Sequence, residues 1–371
     1  EVSHGSSIQQ QVSHHSPEET LDLKSCGLPA TRGILVTGGI IVGIESTAHT
    51  LSIGSVNAKG EPSPSHSAFF RPESGGIHPR EAADHHASEA GTLIKQFLDS
   101  GIDPSNVDAI AFSQGPGLGP CLRVGASVAR ALGSKWGIPI VGVNHCVAHI
   151  EIGRQQCGMD DPVLLYVSGG NTQVIARMAG RYRVLGETLD IGIGNMLDKF
   201  AREHELPFPG GPKIERLASD WLIENSDADL DELALPYAVQ GMDLAFSGIY
   251  TAACRLTQRG APLGGACWSL QEHSFAACIE VAERAMAHTG KTELLLGGGV
   301  ACNQRIREMG RLMTEERDGI CGVPQPQFCV DNGSMIATLG QLQFQHSGAT
   351  ELHASAVKQG LRTDETPITW S

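Results

Sequence analysis

Ile138-Pro139-Ile140-Val141-Gly142-Val143-Asn144-His145-Cys146-Val147-Ala148-His149-Ile150-Glu151 runs from an apolar stretch straight into a segment of helical character. The run Ile138 to Val143 reads as a short buried strand, and the segment after it reads as a helix. His145 and His149 stand four positions apart, so on a helix they leave from one face, about one turn from each other. That spacing can bring two imidazole nitrogens onto one metal ion. Two hydrogen-bonded histidines on a packed helix are the alternative, and the surrounding motifs have to separate the two.

Upstream, order begins with Ile40-Ile41-Val42-Gly43-Ile44-Glu45, a polar turn Ser46-Thr47-Ala48-His49, and a second strand from Thr50 to Val56. A third strand is expected near Ser67 to Phe70. A helix with Pro79 in its first turn follows Gly75-Gly76 and runs to about Ser100. Ala109 to Gln114 is a strand, and Cys121 to Gly137 is a helix. Downstream the pattern restarts. Strands at Val163–Val167, Thr172–Met178 and Arg181–Leu185 precede helices near 194–205, 211–224, 247–258 and 267–288. A buried strand at Leu294–Leu296, a helix from Asn303, a strand at Gly319–Val323 and a helix from Asp331 to His346 close the pattern.

Each half therefore opens with three strands around a polar turn and then alternates strands with helices. Such a duplication resembles the actin/sugar-kinase/Hsp70 (ASKHA) architecture, an α/β fold with two related lobes around a nucleotide cleft; two ordinary hairpins in one α/β chain would give the same opening. The expected division is a disordered N-terminal extension over 1–37, a first lobe over 38–160, a second over 161–350 and a C-terminal tail over 351–371.

Composition narrows the class. With 371 residues, 41% of them hydrophobic and 45 glycines, the chain can bury a large core in an α/β fold with many tight turns. A formal charge of −14 argues against gripping nucleic acid unaided, because neutralising phosphates needs clustered Lys and Arg. A nucleic acid presented by a basic partner remains compatible with it. Ten cysteines without a C-x-x-C pair read as reduced thiols of a cytoplasmic protein rather than a disulfide frame or zinc ribbon. No apolar run reaches about 18 residues, so no membrane span is expected, and the N-terminus lacks the pattern of a secretory signal.

Three glycine turns follow strands, at Ser168-Gly169-Gly170-Asn171, Gly210-Gly211 and Gly297-Gly298-Gly299. Glycine lets backbone N–H groups approach a phosphate, and a helix N-terminus adds positive potential. None is a P-loop or a G-x-G-x-x-G fingerprint, yet three in one chain favour a cleft for a nucleotide or acyl-phosphate. The acidic candidates are Glu45, Asp190, Asp198, Glu215, Asp243 and Asp331. Asp331 opens a helix, where it could act as an N-cap or complete a metal site with His145 and His149. Asp198 stands near a glycine-rich helix start, suited to a ribose hydroxyl or to a solvated face. A metalloprotease would need Glu directly after the first histidine as its base; Cys146 stands there instead.

His145-Cys146-Val147-Ala148-His149-Ile150-Glu151, Tyr166-Val167-Ser168-Gly169-Gly170-Asn171-Thr172-Gln173 and Gly186-Glu187-Thr188-Leu189-Asp190 together resemble the archaeal/eukaryotic Kae/TsaD/OSGEP family. Gly241-Met242-Asp243-Leu244-Ala245-Phe246-Ser247-Gly248, Gly298-Gly299-Val300-Ala301-Cys302-Asn303 and Phe328-Cys329-Val330-Asp331-Asn332-Gly333 extend the resemblance, which runs from about Ile40 to about Gln345. The resemblance implies a tRNA threonylcarbamoyltransferase, an acyltransferase moving threonylcarbamoyl from threonylcarbamoyl-AMP to N6 of the adenosine 3′ of the anticodon in ANN-reading tRNAs. It implies one divalent metal ion, iron or zinc, held by His145, His149 and Asp331 with Tyr166 as a further ligand. It places Tyr166, Val167, Ser168, Gly169 and Gly170 along the intermediate, and Asp198, Gly211, Glu215 and Asn303 around its nucleotide moiety. The partners it implies are tRNA and the KEOPS subunits: a kinase-like ATPase, a dimerising subunit and a tRNA-binding subunit. Electrophile activation and orientation should dominate the chemistry, so no general base is named; His49 and His85 are open to that role or to turn packing.

Residues 1–37 have no counterpart in the resemblance, Ser46 follows Glu45 where archaeal members more often carry Gly, and Gly297 lengthens the Gly-Gly pair. Two other readings share these motifs. One is a small-molecule carbamoyltransferase or kinase of the same fold, and the other is a nucleotide-binding scaffold with a structural metal.

Overall fold

A computed structural model describes residues 39–72 and 76–370, and the expected extension over 1–37 lies outside the described residues. The β-branched run at its start forms β1 (Ile40–Glu45), buried from Ile41 onward. It pairs antiparallel with β2 (Thr50–Val56), which pairs with β3 (His66–Phe69). On its other side β1 pairs parallel with β4 (Val107–Gly115), and β4 with β5 (Ile140–Asn144). The sheet order is β3-β2-β1-β4-β5. Two helices, α1 (Pro79–Asp99) and α2 (Gly119–Trp136), make the crossovers into β4 and β5, and α3 (His145–Cys157) leaves β5 without a loop.

The second half repeats this plan. Strands β6 (Val163–Val167), β7 (Thr172–Met178) and β8 (Arg181–Glu187) are antiparallel neighbours. Helices α4 (Ile193–Glu203) and α5 (Gly211–Glu224), a two-residue hairpin β9 (Val239–Gln240) and β10 (Asp243–Leu244), and helices α6 (Phe246–Gln258) and α7 (Leu263–Thr289) follow. Then β11 (Glu293–Gly297) adds parallel to β6, and after α8 (Gln304–Glu315) β12 (Ile320–Gly322) adds parallel to β11. The order β8-β7-β6-β11-β12 matches β3-β2-β1-β4-β5 strand for strand. The duplication expected from the sequence is therefore one of connectivity and pairing sense, which two unrelated hairpins would not share.

Short elements escaped the sequence pattern. Neither the β9–β10 hairpin nor the single turn α9 (Pro326–Cys329) is long enough to show periodicity. The last helix, α10 (Gly333–Ser347), falls within the second half by chain order but packs on β1, β2 and β4 of the first sheet. The approach is close: a Cβ on Gly43 of β1 would lie 2.1 Å from the Gly333 carbonyl oxygen and 2.3 Å from the Ala337 nitrogen. The segment after α10 also runs along the first sheet. Gly142 N donates to Thr350 Oγ1 (2.9 Å), Gln114 Nε2 to the carbonyls of Ala354 and Ala356 (2.8 Å each), and Asn144 Nδ2 to that of Arg362 (3.0 Å).

Helix α3 lies between the two sheets. Ile150 and Val147 share one apolar cluster with Ile41 and Val141 of the first sheet, Leu164 and Leu295 of the second, and Met335 of α10. Gly153 meets β11 so tightly that a Cβ would stand 2.8 Å from a Leu295 methyl. No helix among the described residues is long and apolar enough to cross a membrane.

Candidate metal centre and active site

Asn144 ends β5 in extended conformation, and its side-chain Oδ1 accepts from the N–H groups of Cys146 (2.9 Å) and Val147 (3.2 Å), capping α3. This cap makes His145 the first residue of the helix and sets His149 one turn further on. The two rings lie 4.8 Å apart, centroid to centroid, at nearly a right angle. Asp331, just before α10, meets both: its Oδ1 is 3.6 Å from His145 Nε2 and 3.2 Å from His149 Nε2. The donor atoms of His145, His149 and Asp331 all lie within 4.8 Å of one another. Tyr166, at the end of β6, brings its hydroxyl to 3.5 Å from His145 Nε2 and its ring to 5.0 Å from that of His149. Three elements from distant parts of the chain thus converge, and α3 and α10 can do so only because both pack on the same sheet.

Behind the cluster, Glu45 is fully buried at the end of β1. Its Oε1 accepts from the Thr47 N–H (2.6 Å) and hydroxyl (2.5 Å), and its Oε2 from the Ser113 hydroxyl (2.5 Å) and His145 Nδ1 (2.9 Å). A carboxylate can only accept, so Nδ1 carries a proton and Nε2 is the nitrogen turned toward Asp331. A carboxylate that orients a ligating histidine from behind is the usual support of a metal site. Sequence reading noted Glu45 as an acidic residue but gave it no place in the site, and it did not single out Thr47, Ser113 or Asn144. The available signal was one charged residue ending an otherwise apolar strand.

The electrostatics follow from this packing. Burial would lower the pKa of His145, but the charges of Glu45 and Asp331 outweigh it and push the imidazole up to about 9. Burial keeps His149 below its ordinary value; Asp331 opposes this, and His145 adds to it. Asp331 is held well below the usual carboxylate range because the two histidines overcome its burial. Burial, reinforced by Asp331, pushes the Tyr166 phenol up. Two imidazoles and one carboxylate with an adjoining phenol make a mixed N/O donor set that fits iron or zinc better than calcium.

The loop after Tyr166 is continuous with this centre. Ser168 Oγ and N close the turn on Asn171 at 2.8–3.1 Å, and Gly169 and Gly170 are exposed, while Val167 is buried. The N-terminus of α4 abuts the loop, with Gly194 N donating to Ser168 O (3.1 Å) and Asn195 N to Gly169 O (3.0 Å). Gly298 adopts φ 90°, and a Cβ there would sit 2.3 Å from Val167 O, so only glycine lets the 299–302 turn come up against β6. That turn leads to Asn303, whose Oδ1 caps α8 on Arg305 N and whose Nδ2 donates to Gln271 Oε1, both at 2.8 Å. Glu215 joins it, accepting from Gln304 N at 2.7 Å.

Asp198 accepts from Gly210 N at 2.7 Å, which ties it to the start of α5 beside Gly211. Its pKa is raised by burial against the opposing amides of Gly210 and Gly211. Asp190 and Asp243 hold local structure: Asp190 accepts from the amides of Ile191, Phe246 and Ser247 (2.7–2.9 Å), and Asp243 from that of Glu187 (3.0 Å). His85 lies against Phe70, with ring centroids 5.8 Å apart.

The family model for tRNA N6-adenosine threonylcarbamoyltransferase matches residues 65–338. A probable bifunctional tRNA threonylcarbamoyladenosine biosynthesis protein of Methanoculleus marisnigri is 49% identical over 91% of this chain and 61% of its own length. A homologue in Methanosarcina mazei with the same description is 52% identical over 89% of this chain and 59% of its own length. The chain thus spans about three fifths of these relatives. The tRNA N6-adenosine threonylcarbamoyltransferase of Methanococcoides burtonii is 49% identical over 89% of this chain and 97% of its own. Among solved structures, HypF of T. kodakarensis superposes with a TM-score of 0.58 at 15% identity, covering 83% of this chain and 48% of that one. The (R)-2-hydroxyglutaryl-CoA dehydratase component A of Acidaminococcus fermentans gives 0.50 at 12%, covering 81% and 96%; both share the two-lobed ASKHA fold. With a matched model over most of the described residues and half-identical relatives along nearly the whole chain, this protein belongs to the TsaD family of tRNA N6-adenosine threonylcarbamoyltransferases.

Proposed function

We propose that this chain transfers threonylcarbamoyl from threonylcarbamoyl-AMP to N6 of the adenosine 3′ of the anticodon in ANN-reading tRNAs, releasing AMP. The observation that carries the reading is the cluster of buried His145 and His149 with half-buried Asp331, continuous through Tyr166 with the Ser168 turn and its exposed Gly169 and Gly170. In the reaction the N6 nitrogen bonds to the carbamate carbon, the bond from that carbon to the phosphate oxygen breaks, and the electron pair leaves with AMP. Tyr166, Val167, Ser168, Gly169 and Gly170 position the acyl-phosphate, and Asp198, Gly211, Glu215 and Asn303 surround the nucleotide. His145, His149 and Asp331, with Tyr166, would hold one ion, iron in this reading with zinc the alternative, and it would supply Lewis-acid polarisation of the carbonyl and positive charge beside the departing phosphate. Adenine N6 is a weak nucleophile, so alignment of the two reactants carries much of the rate.

The charge of −14 supports a division of labour in which basic partner subunits grip the tRNA. The KEOPS assembly, with its kinase-like ATPase, dimerising and tRNA-binding subunits, would supply them. A reducing, cytoplasmic setting suits the nine free cysteines of the described residues. The test is incorporation of labelled threonylcarbamoyl from its adenylate into tRNA with the partner subunits present. Incorporation should need both His145 and the target adenosine. An assembled complex that incorporates nothing overturns the reading.

A further inference from the structure

Among the described residues β5 and β8 each stand at one end of their sheet, so their outer N–H and C=O groups have no further strand to pair with. One segment, residues 349–370, serves both edges. At β5, Thr350 N donates to the Ile140 carbonyl (2.8 Å), Gly142 N to Thr350 Oγ1 (2.9 Å), and Asn144 Nδ2 to the Arg362 carbonyl (3.0 Å). Between these points Lys358 N donates to the Gln114 carbonyl (2.8 Å), and the Arg130 guanidinium to the Ser355 carbonyl (2.6 Å). At the start of β8, Pro367 lies opposite Arg181, and Ile368 N donates to the Gly180 carbonyl (3.2 Å). The segment thus runs from the edge of the first sheet to the edge of the second.

Both ends bear on α3, the helix that carries His145 and His149. The Asn144 side chain has two groups with different tasks. Its Oδ1 caps α3 on the Cys146 and Val147 N–H groups, and its Nδ2 donates to Arg362. A carbonyl only accepts, so the Arg362 contact decides which end of the amide faces the helix. Turned over, the amide would aim N–H groups at N–H groups and the cap would be lost. At the far end, Tyr182, next to Arg181, donates its hydroxyl to Glu151, two positions beyond His149. Ile368 shares one buried apolar cluster with Val147, Ile150 and Ile152 of α3, and Trp370 packs against it. The middle of the segment is lightly held by comparison: within 351–360 only Ser355 is buried. Such a stretch can open without unfolding the rest of the chain.

We infer that residues 349–370 form a strap that positions His145 and His149 for the metal, so that docking of the strap and uptake of the ion strengthen each other. The inference rests on the metal site of the proposed function. An ion tying both imidazoles to Asp331 would fix the first turn of α3, and a fixed first turn presents the Asn144 amide that the strap engages. The coupling is reciprocal: the factor by which a docked strap raises metal affinity is the factor by which the ion favours docking. Asn144 acts through the start of the helix and is a positioning residue.

The experiment is hydrogen exchange, read by mass spectrometry, on the whole metal-free chain with and without ferrous iron or zinc alone. Peptides holding the Lys358 and Ile368 amides should exchange about tenfold more slowly at saturating metal. Metal affinity and the urea midpoint of the metal-free chain are then measured on two variants. Asn144→Ser keeps a good cap but has no amide for Arg362; Thr350→Val keeps the shape but removes the acceptor for Gly142 N. Each should bind metal about tenfold more weakly, the low end of the usual cost of losing a group that supports a ligand. A lowered urea midpoint with wild-type metal affinity in both variants marks a merely structural segment and overturns the inference. Strap amides that exchange equally fast with and without bound metal overturn it too, on the wild-type chain alone, and leave the metal centre standing. A wild-type chain that binds neither metal overturns the metal centre and this inference together.

Discussion

His145 Nδ1 lies 2.9 Å from Glu45 Oε2, across 100 positions of sequence, and this bond turns Nε2 of the same ring toward Asp331. The first strand of one sheet thereby sets the direction of the first histidine on the helix that follows the last strand of that sheet.

Replacing Glu45 by Gln should leave the fold in place but weaken metal retention about 10- to 100-fold, the usual cost of removing a carboxylate behind a ligating histidine. The amide keeps one acceptor for Thr47 or Ser113 but no longer fixes the proton on Nδ1. Equilibrium dialysis against a chelator checks this, and affinity equal to wild type would show that Glu45 does not orient the ring.

Metal affinity should rise with pH up to about 9. His145 is pushed from 6.5 up to about 9 by Glu45 and Asp331, against its burial, so an arriving ion must displace its proton throughout that window. The expected slope is roughly tenfold per pH unit, levelling off near the upper limit. The raised pKa acts oppositely on the metal-free fold: its stabilisation is full below pH 6.5 and is lost as pH climbs through about 9. Calorimetry in buffers of different ionisation heat counts the released proton at about pH 7.5, inside that window, and a count of zero contradicts the prediction.

Gly43→Val should destabilise the fold by about 2 kcal/mol through overpacking and loosen the metal as well. The added side chain meets the Gly333 carbonyl and the Ala337 amide, so α10 must lift from β1, and Asp331 immediately precedes α10. Urea denaturation read beside metal content tests the pair, and a stability loss with unchanged metal retention would separate Asp331 from the docking of α10.

Cys302 should be the first thiol of the described residues to be alkylated. The neighbouring Cys329 side chain and Arg307 bring it down to about 7 despite partial burial, while Cys329 is raised in turn. Burial pushes Cys121 up to about 11 and Cys146, Cys267 and Cys321 up to about 12. At about pH 7.5 iodoacetamide should label Cys302 at least about tenfold faster than these. Peptide mass spectrometry over a time course reads the order, and earlier labelling of any of the four would refute it.

From the sequence alone one could read the strand-and-helix order, the duplicated opening of each half, and the residue types of the candidate donor set, because these depend on local pattern. Apolar runs, the helical period of about 3.6 residues that stacks His145 over His149, and the Asp before a helix all act within a few residues. Tertiary structure decided what lies beside what. Asp331 meets the histidines because α10 returns to the first sheet through the close contact of Gly43 with Gly333, a pairing far apart in sequence that no local pattern encodes. Glu45 supports His145 for the same reason. Sheet pairing and core burial bring together residues whose separation along the chain is unrelated to their separation in space.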